Sequence, residues 1–287
     1  MKKHAYIIMA HDNLYCLEKL ILLLDDPRND IFLHIDAKVG EFDFPYFQSL
    51  CKHSVLIYPP KRINVCWGTQ SQVKTEMLML KTASSYGYHH YYHILSGSDL
   101  PLRSQDDIHA WFSGRTTSFL YYTERPSQWD VQRISRYHNV FGHRGVVSSR
   151  LNGIFSRIQE SLAVDRLKGL DIEVKKGSNW ASLTQKAVDV LLSYEARIMK
   201  LTRFSVCADE VYKQTILVHE NCPIIRDDLR EIHWVNGNHP QTYSSSDYEM
   251  LCRSEKMFAR KFSEKMDREI IDLIYDKVRC ETECASK

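Results

Sequence analysis

The sequence lacks the hydrophobic run that a membrane-spanning helix would need. None of its 287 residues belongs to an apolar stretch approaching the length of about 18 to 20 residues that crosses a bilayer. The amino-terminal segment 1–13 has a basic pair, but its apolar run before His11 and Asp12 is too short for a signal peptide. We therefore expect a cytoplasmic protein that is neither membrane-spanning nor exported by that route.

Paired cysteine or histidine motifs are also missing. The 8 cysteines are scattered without a C-x-x-C pair, and no His/Cys spacing is that of a zinc site. The segments HDN (11–13) and HIDAK (34–38) each hold one histidine and lack the paired histidines of a metal site. We interpret the cysteines as reduced thiols, and we expect no bound metal.

An excess of charge is absent as well, and so are several cofactor motifs. The formal net charge is only +2, which makes attraction of nucleic acid over the whole surface unfavourable, so any anion must meet a local cluster of cations. No G-x-G-x-x-G or G-x-x-x-x-G-K-[ST] segment opens a helix, and there is no G-x-S-x-G. The sequence therefore gives no support for dinucleotide, P-loop or serine-hydrolase chemistry.

What the sequence does contain is an alternation of short apolar strands with longer amphipathic segments. It predicts strands at 5–10, 31–36, 54–59 and 91–96, with helices at 14–24 and about 70–84. This pattern is typical of an α/β protein with a mainly parallel central sheet flanked by helices. Further along, it predicts helices at 148–168 and 181–199, a basic glycine turn at 175–180, and a last helix that ends at about Val278.

Carboxylates follow three of the predicted strands. His11 and Asp12 follow the first, Asp36 ends the second, and Asp99 follows the fourth in YHILSGSDLPL (92–102), where Pro101 should end strand pairing. Ligands of parallel sheets bind beyond the carboxyl ends of strands, so these residues predict a polar crevice. Each carboxylate alone is better explained as a turn or helix cap, but three of them together favour the crevice.

Two later segments combine cations with aromatic rings. Residues 119–145 place Arg133 and Arg136 among rings that would suit sugar binding, although the arginines of a solvent-exposed excursion would look the same. Arg230 and the segment MFARKF (257–262), with Lys261, form a late basic set. Cations between buried rings are costly unless they are paired or face a ligand anion; the alternative is an amphipathic surface segment.

Seven blocks carry a resemblance to a known family. They are YIIMAHDN, HIDAK, RINVCWGTQSQV, YHILSGSDLPL, GSNWASLT, CADEVYKQTIL and MFARKF. In this order, over about residues 4 to 262, they resemble the core-2/I-branching N-acetylglucosaminyltransferase family, which includes peptide O-xylosyltransferases. The resemblance implies a GT-A-like fold and an inverting transfer of N-acetylglucosamine, xylose or another sugar from a UDP-sugar co-substrate. It implies no metal and no other cofactor.

The resemblance also implies roles for individual residues. Glu210, in the Ala-Asp-Glu block, is expected to be the catalytic base. Asp99 is expected beneath the donor site, where it would bind sugar hydroxyls or orient Arg230 or Lys261. The donor-site residues are His11, Asp36 (at uracil), Trp67 (beside the nucleoside), Asp99, and Arg230 with Lys261 (at the diphosphate). The acceptor-side residues are Arg133, Arg136, Trp180 and Asp209.

The expected organisation is one catalytic domain, residues 1–262, with a donor-binding part at about 1–110 and an acceptor and catalytic part at about 111–262. Residues 263–287 would be a carboxy-terminal helix and frayed tail. Because the animal enzymes' anchor, stem and disulfide pattern are missing, the chain resembles a bacterial, cytoplasmic member that makes surface polysaccharide. The expected acceptor is a glycan or lipid-linked oligosaccharide, with peripheral contact at the inner face of the inner membrane.

Two other functions fit the same residues. A glycoside hydrolase also needs two carboxylates, which Asp99 and Glu210 would supply, but it has no use for a cationic clamp late in the chain. A non-catalytic carbohydrate-binding protein would explain the aromatic loop and leave Asp209 and Glu210 without a role.

Overall fold

Strands and helices alternate through most of the chain, as the apolar pattern predicts. The computed structural model describes residues 2–140, 142, 146–235 and 239–285. Its strands are β1 His4–Ala10, β2 Asn29–Ile35, β3 Val55–Ile57, β4 Tyr91–Ser96, β5 Asp99–Pro101, β6 Ser118–Thr123, β7 Lys176–Thr184, β8 Ile224–Ile225, β9 Arg230–Ile232, β10 Trp234–Val235, β11 His239–Pro240 and β12 Phe258–Arg260.

The helices differ widely in length, from single turns to about five turns. They are α1 Leu14–Leu24, α2 Phe44–Ser49, α3 Gln70–Tyr86, α4 Gln105–Phe112, α5 Gln128–Ser135, α6 Val146–Ser161, α7 Gln185–Ser193, α8 Glu195–Thr202, α9 Tyr212–His219, α10 Tyr248–Arg253 and α11 Glu269–Ala285. Short 3-10 helices cover Ala208–Glu210 and Ser245–Asp247.

The central sheet has seven strands in the order β3-β2-β1-β4-β7-β6-β8. Strands β1 to β4 are parallel, and β7 runs antiparallel to both of its neighbours. In the register, Ala10 pairs with Ile35 and Met9 pairs with Ser96, so the carboxyl ends of β1, β2 and β4 lie at one edge. The predicted mainly parallel sheet is confirmed, together with the edge at which its polar residues meet.

Apolar residues cover both faces of this sheet. Along β1, Tyr6 and Ile8 pack into one buried cluster with α1 and α11, while Ala5 and Ile7 pack into another with α3, α7 and α9. Because both faces are buried, the strands need continuous apolar runs instead of an alternation with polar residues. Strands β1, β2 and β4 were recognisable for this reason, whereas β3 is partly exposed and covers only Val55–Ile57 of the predicted 54–59.

The segment 175–184 is a strand, which corrects two predictions. We expected a basic glycine turn at 175–180 and a helix from 181, but β7 covers Lys176–Thr184 and two helices, α7 and α8, follow it. Gly177 is required by close backbone contact at a bulge, because a Cβ there would lie 1.8 Å from the Tyr121 carbonyl oxygen. The glycine therefore indicates a crowded strand and not a turn.

Helix ends also differ from the prediction. The helix expected at 148–168 covers Val146–Ser161, and α11 continues to Ala285 instead of ending at about Val278. Buried Ile270, Ile271 and Ile274 join α11 to the core. Residues 286 and 287, at the end of the predicted frayed tail, lie outside the described residues. None of the described helices is long and apolar enough to cross a bilayer.

A second, three-stranded sheet, in the order β5-β12-β9, lies at the carboxyl end of β4. Pro101 was expected to end strand pairing, yet it lies in β5 opposite Phe258. This is possible because β5 is an edge strand, where a missing backbone N–H leaves no neighbour without a partner. The same pairing sets Arg260 opposite Asp99.

Candidate active site

A cavity of about 1010 Å³ lies against the short 3-10 helix Ala208–Glu210. Helix α5, strands β6, β7 and β9 to β11, and segments outside these elements also contribute to its wall. Its lining combines aromatic rings with both signs of charge: Trp67, Tyr121, Trp129 and Trp234; Arg133, Lys176, Arg226, Arg230 and Lys256; Glu210, Asp227 and Asp228. Rings and charged groups together suit a ligand with sugar faces, hydroxyls and anionic groups.

Glu210 is half-buried and ends the 3-10 helix at this cavity. Its Oε2 accepts a hydrogen bond of 2.6 Å from Arg133 Nη1, and Lys176 Nζ lies 3.9 Å from the same oxygen. The carboxylate is therefore held at the cavity wall by cations from α5 and β7. Arg133 and Glu210, both predicted site residues, are brought together.

Asp209 points away from the cavity and is buried. Its Oδ2 accepts a hydrogen bond of 2.9 Å from Gln72 Nε2, while Oδ1 has no partner among the described residues. Burial first, and then the neighbouring Glu210 carboxylate, raises the pKa of Asp209 to about 7. Asp209 thus supports the turn from behind and does not line the cavity.

A buried ion pair lies beneath the same turn. Lys213 Nζ is 2.8 Å from Glu76 Oε1, with side-chain exposures of 0% and 1%. The same ammonium donates to Asn179 Oδ1 at 2.9 Å and to the Asp209 carbonyl oxygen at 3.1 Å, and Tyr212 Oη donates to Glu76 at 2.6 Å. All three ammonium protons are therefore used, and one of them fixes the backbone that carries Glu210.

The predicted residues at the strand ends have different exposures. Asp36 is buried, its carboxylate accepts the backbone N–H of Lys38 at 2.8 Å, and Lys38 Nζ lies 3.5 Å away. His11 is exposed, with Nε2 3.5 Å from Asp12 Oδ1. Neither side chain lines the cavity, whereas Trp67, which is 76% exposed, does.

The carboxylate of Asp99 is fully buried and meets Arg260. Its Oδ1 is 2.7 Å from Arg260 Nη1, and its two oxygens also accept the Ser96 N–H at 2.7 Å and the Ser96 hydroxyl at 2.9 Å. The expected partners were Arg230 or Lys261, and neither pairs with it. The guanidinium that Asp99 holds lies over the Trp180 ring, 4.1 Å from its centroid, so Trp180 is covered on that face.

Arg230 lies on the cavity floor, but its guanidinium is bound to the protein. Nη1 donates to Ser182 Oγ at 2.9 Å and to the Asp228 carbonyl, and Nη2 donates to the carbonyls of Ile94 at 3.1 Å and Ala181 at 2.8 Å. Burial lowers the pKa of Arg230 to about 10, so it is still cationic at neutral pH. Its positive charge is retained beneath the cavity, with no free Nη group to bind a ligand.

Neither Lys261 nor Arg136 lines the cavity. In the described part of the chain, no carboxylate lies within ion-pair distance of the Lys261 ammonium, while its backbone pairs with Gln241 and Tyr243. Arg136 ends α5, its carbonyl accepts from Arg166, and its side chain does not line the cavity. Within the described ranges, no three His, Cys, Asp or Glu side chains are arranged to hold a metal ion.

Several cavity residues were missed by the sequence reasoning. Lys176 was assigned to a turn, and Arg226, Lys256 and Trp234 carried no local signal because they come together only in the folded chain. Arg260 adjoins Lys261 in MFARKF, and its opposite neighbour Asp99 is set by strand pairing. Only the register of β5 and β12 shows that Arg260, and not Lys261, lies opposite Asp99.

Comparison with known proteins gives the family. The model of the Core-2/I-Branching enzyme family matches residues 4–281. The crystal structure of mouse xyloside xylosyltransferase 1, in its apo form, is similar with a TM-score of 0.39 and 9% identity, covering 90% of this chain and 97% of that one. No curated protein sequence matches the chain. The predicted family, the α/β fold with a mainly parallel central sheet and the glycosyltransferase activity are confirmed: the chain belongs to the Core-2/I-Branching enzyme family.

Proposed function

We propose that the protein transfers a sugar from a UDP-sugar to a glycan hydroxyl with inversion and without a metal ion. N-acetylglucosamine is the favoured sugar, xylose or another sugar is the alternative, and the proposed pathway is bacterial surface polysaccharide synthesis. One observation carries the proposal: Glu210 stands at the wall of a cavity lined with cations and aromatic rings, 2.6 Å from Arg133.

An inverting transfer needs a base that removes the proton of the acceptor hydroxyl as this oxygen attacks the sugar. A carboxylate oxygen that reaches the cavity is placed to take that proton. Glu210 meets this requirement and faces the cavity, whereas Asp209 faces Gln72. We therefore assign the base to Glu210 and a positioning role to Asp209.

The leaving nucleoside diphosphate gains negative charge, which cations must stabilise when no metal does so. Arg230 supplies fixed positive charge at the cavity floor, and Lys261 supplies an ammonium without a carboxylate partner among the described residues. Arg260, held by Asp99, adds a third cation next to Lys261. The cations of this region are thus spread over three positions instead of the two first predicted.

The remaining predicted residues are assigned to the two substrates. Asp36 and His11, at the ends of β2 and β1, and exposed Trp67 would bind the nucleoside. Tyr121 and Trp129 line the cavity near Arg133 and would pack on the acceptor's sugar faces. Arg136 and Trp180 stay at the edge of this arrangement, because neither lines the cavity.

The acceptor is a glycan or a lipid-linked oligosaccharide, and the enzyme works at the inner membrane face by peripheral contact. Helix α6 supports this location, because Val147, Leu151, Ile154 and Ile158 follow one another at helical spacing and are exposed. An apolar stripe bordered by Arg150 and Arg157 is the pattern of a helix that lies in a membrane interface.

The glycoside hydrolase alternative loses its second carboxylate. Asp99 was its partner for Glu210, and the structure buries Asp99 completely in a salt bridge with Arg260. A hydrolytic carboxylate must reach the scissile bond.

Calorimetry of UDP tests the donor site. The affinity for UDP should be the same with and without EDTA, and a loss of tenfold or more, about 1.4 kcal/mol, would reveal a metal.

Lys261→Ala should weaken the binding of UDP far more than that of uridine, because an ammonium acts on the diphosphate through bonds worth about 1.5–3 kcal/mol. Lys265→Ala, which removes an exposed lysine four residues away, is the matched control. Equal weakening of UDP and uridine would assign Lys261 to the fold.

A further inference from the structure

A second cavity, of about 530 Å³, is lined by cations and lies outside the candidate active site. We call it the basic cavity. Its cations are Arg166, Lys168, Arg197, Lys200 and Arg203. No carboxylate of the described residues lines it, and the described ion pairs include none of these five side chains. Five unneutralised cations around one cavity repel one another, so an anionic ligand would relieve a cost already present in the fold.

The cations of the basic cavity fall into two groups. Arg166 and Arg203 lie over aromatic rings, with 4.5 Å from the Arg166 guanidinium carbon to the Tyr137 centroid and 5.0 Å from that of Arg203 to Phe204. Arg166 also donates to the carbonyls of Lys200 and Leu201, at 3.0 Å and 2.9 Å, and so holds the wall together. Lys168 and Lys200 are exposed, and their ammonium groups are available to an anion.

The basic cavity shares two walls with the candidate active site. In one wall, Arg133 of α5 lines the active site, and Tyr137, two residues beyond the end of that helix, lines the basic cavity. In the other, Arg203 and Phe204 line the basic cavity, and the chain then reaches Glu210. Backbone hydrogen bonds join the walls, from His138 N to the Phe204 carbonyl at 2.5 Å and from Val206 N to the Arg133 carbonyl at 3.2 Å.

We propose that the basic cavity binds an anionic group, a phosphate or a carboxylate, that the acceptor glycan carries away from the hydroxyl that reacts at Glu210. This rests on the proposed function, since it assumes a glycan acceptor at Glu210. An extended acceptor that leaves the active site along the shared walls brings its next sugar units to the basic cavity. The enzyme would then select acidic acceptors over neutral ones of the same length.

The test uses a fluorescein-labelled oligogalacturonate and its methyl ester, which has the same size without the charge. Fluorescence anisotropy should give at least about tenfold tighter binding of the acid, and added salt should reduce that difference. Unlabelled inorganic phosphate should compete with the acid if the cavity prefers phosphate, and its failure to compete would assign the cavity to carboxylates. Equal affinity of acid and ester would overturn the proposal.

A matched pair of triple variants locates the binding. Lys168→Ala/Arg197→Ala/Lys200→Ala should weaken the acid at least about tenfold. Lys74→Ala/Lys186→Ala/Lys265→Ala removes three exposed cations elsewhere, so both variants lower the net charge from +2 to −1. The control should bind like the wild type. Equal loss in both variants would show a general field effect and overturn the site.

Two further readouts separate the outcomes. UDP affinity of the basic-cavity variant should equal that of the wild type, since its three residues lie outside the donor site. If the wild type binds oligogalacturonate but not UDP, the proposed function fails while the anion site stands.

Sedimentation with phosphatidylcholine vesicles, with and without phosphatidylglycerol, tests a lipid as the ligand. If the basic-cavity variant loses vesicle binding but keeps oligogalacturonate binding, the cavity binds lipid and the proposal is overturned.

Discussion

Removing the ammonium of Lys213 should destabilise the protein more than breaking an exposed ion pair does. In Lys213→Met, the Glu76 carboxylate stays buried with Tyr212 Oη as its remaining side-chain donor, and Asn179 Oδ1 and the Asp209 carbonyl each lose a hydrogen bond. Breaking one side of a fully buried pair costs about 3–5 kcal/mol, because an uncompensated charge stays in the interior. We expect a decrease of that size in the free energy of unfolding.

Urea unfolding followed by tryptophan fluorescence measures this decrease. The control is Lys81→Met, which breaks the Lys81–Glu195 pair, 2.9 Å apart with exposures of 58% and 40%. Exposed pairs contribute at most about 1 kcal/mol. The double variant Glu76→Leu/Lys213→Met removes both charges and should be more stable than Lys213→Met alone. If Lys213→Met costs no more than Lys81→Met, or the double variant is the less stable, the reasoning is refuted.

The same substitution has a functional consequence. Lys213 Nζ donates to the Asp209 carbonyl and so holds the turn that ends in Glu210. In the folded fraction of Lys213→Met, turnover should decrease while UDP affinity is retained, because the donor-site cations are unchanged. A purely structural lysine would leave the turnover of the folded fraction unchanged.

Two further predictions concern the fold and its pH dependence. Gly177→Ala should lower the melting temperature by several degrees, because the new Cβ would lie 1.8 Å from the Tyr121 carbonyl oxygen. The control Gly87→Ala, whose Cβ would have no atom within 4 Å, should melt like the wild type. Equal melting temperatures of the two variants would contradict the crowded bulge. The pKa of Asp209 is raised from 3.8 to about 7, so the folded state keeps a proton that the unfolded state loses, and this residue's contribution to stability is lost as pH rises through that window. In urea unfolding, the stability of Asp209→Asn relative to the wild type should therefore increase between pH 5 and pH 8. A difference in free energy of unfolding that does not change with pH would contradict the raised pKa.

Much of the sheet was predictable because burial on both faces leaves a direct signal. Strands β1, β2 and β4 are continuous apolar runs, and the polar residues at their ends, His11, Asp12 and Asp36, follow where the apolar run stops. Parallel pairing then brings those ends to one edge, whatever the rest of the chain does.

Strand β7 was not predictable from its own residues. Lys176, Gly177 and Ser178 are typical of a turn, and the strand forms because β4 and β6 pair with it on either side. The turn propensity of these residues is overridden because pairing with two neighbouring strands satisfies their backbone hydrogen bonds. The same misassignment hid Lys176, which the strand places 3.9 Å from Glu210.

The partners of the charged residues were the least predictable part of the site. Arg230, Arg260 and Lys261 look alike in the sequence, yet one is bound to backbone carbonyls, one to Asp99, and one to no carboxylate of the described residues. Only the register of β5 and β12 decides between Arg260 and Lys261 as the partner of Asp99. Glu210, by contrast, was predicted from its block, and the fold places it at the wall of a cavity.

The central claim, that Glu210 is the base of a UDP-sugar transfer, is tested most directly by Glu210→Gln. The glutamine still accepts a bond from Arg133 but takes no proton, so UDP release from UDP-N-acetylglucosamine or UDP-xylose, with water as acceptor, should fall by about 10²–10⁴-fold. UDP affinity and melting temperature should be unchanged, and Glu195→Gln, at an exposed ion pair, should behave like the wild type. Near-normal UDP release by Glu210→Gln would contradict the assignment. Loss of UDP release in a folded Asp209→Asn variant would contradict it as well.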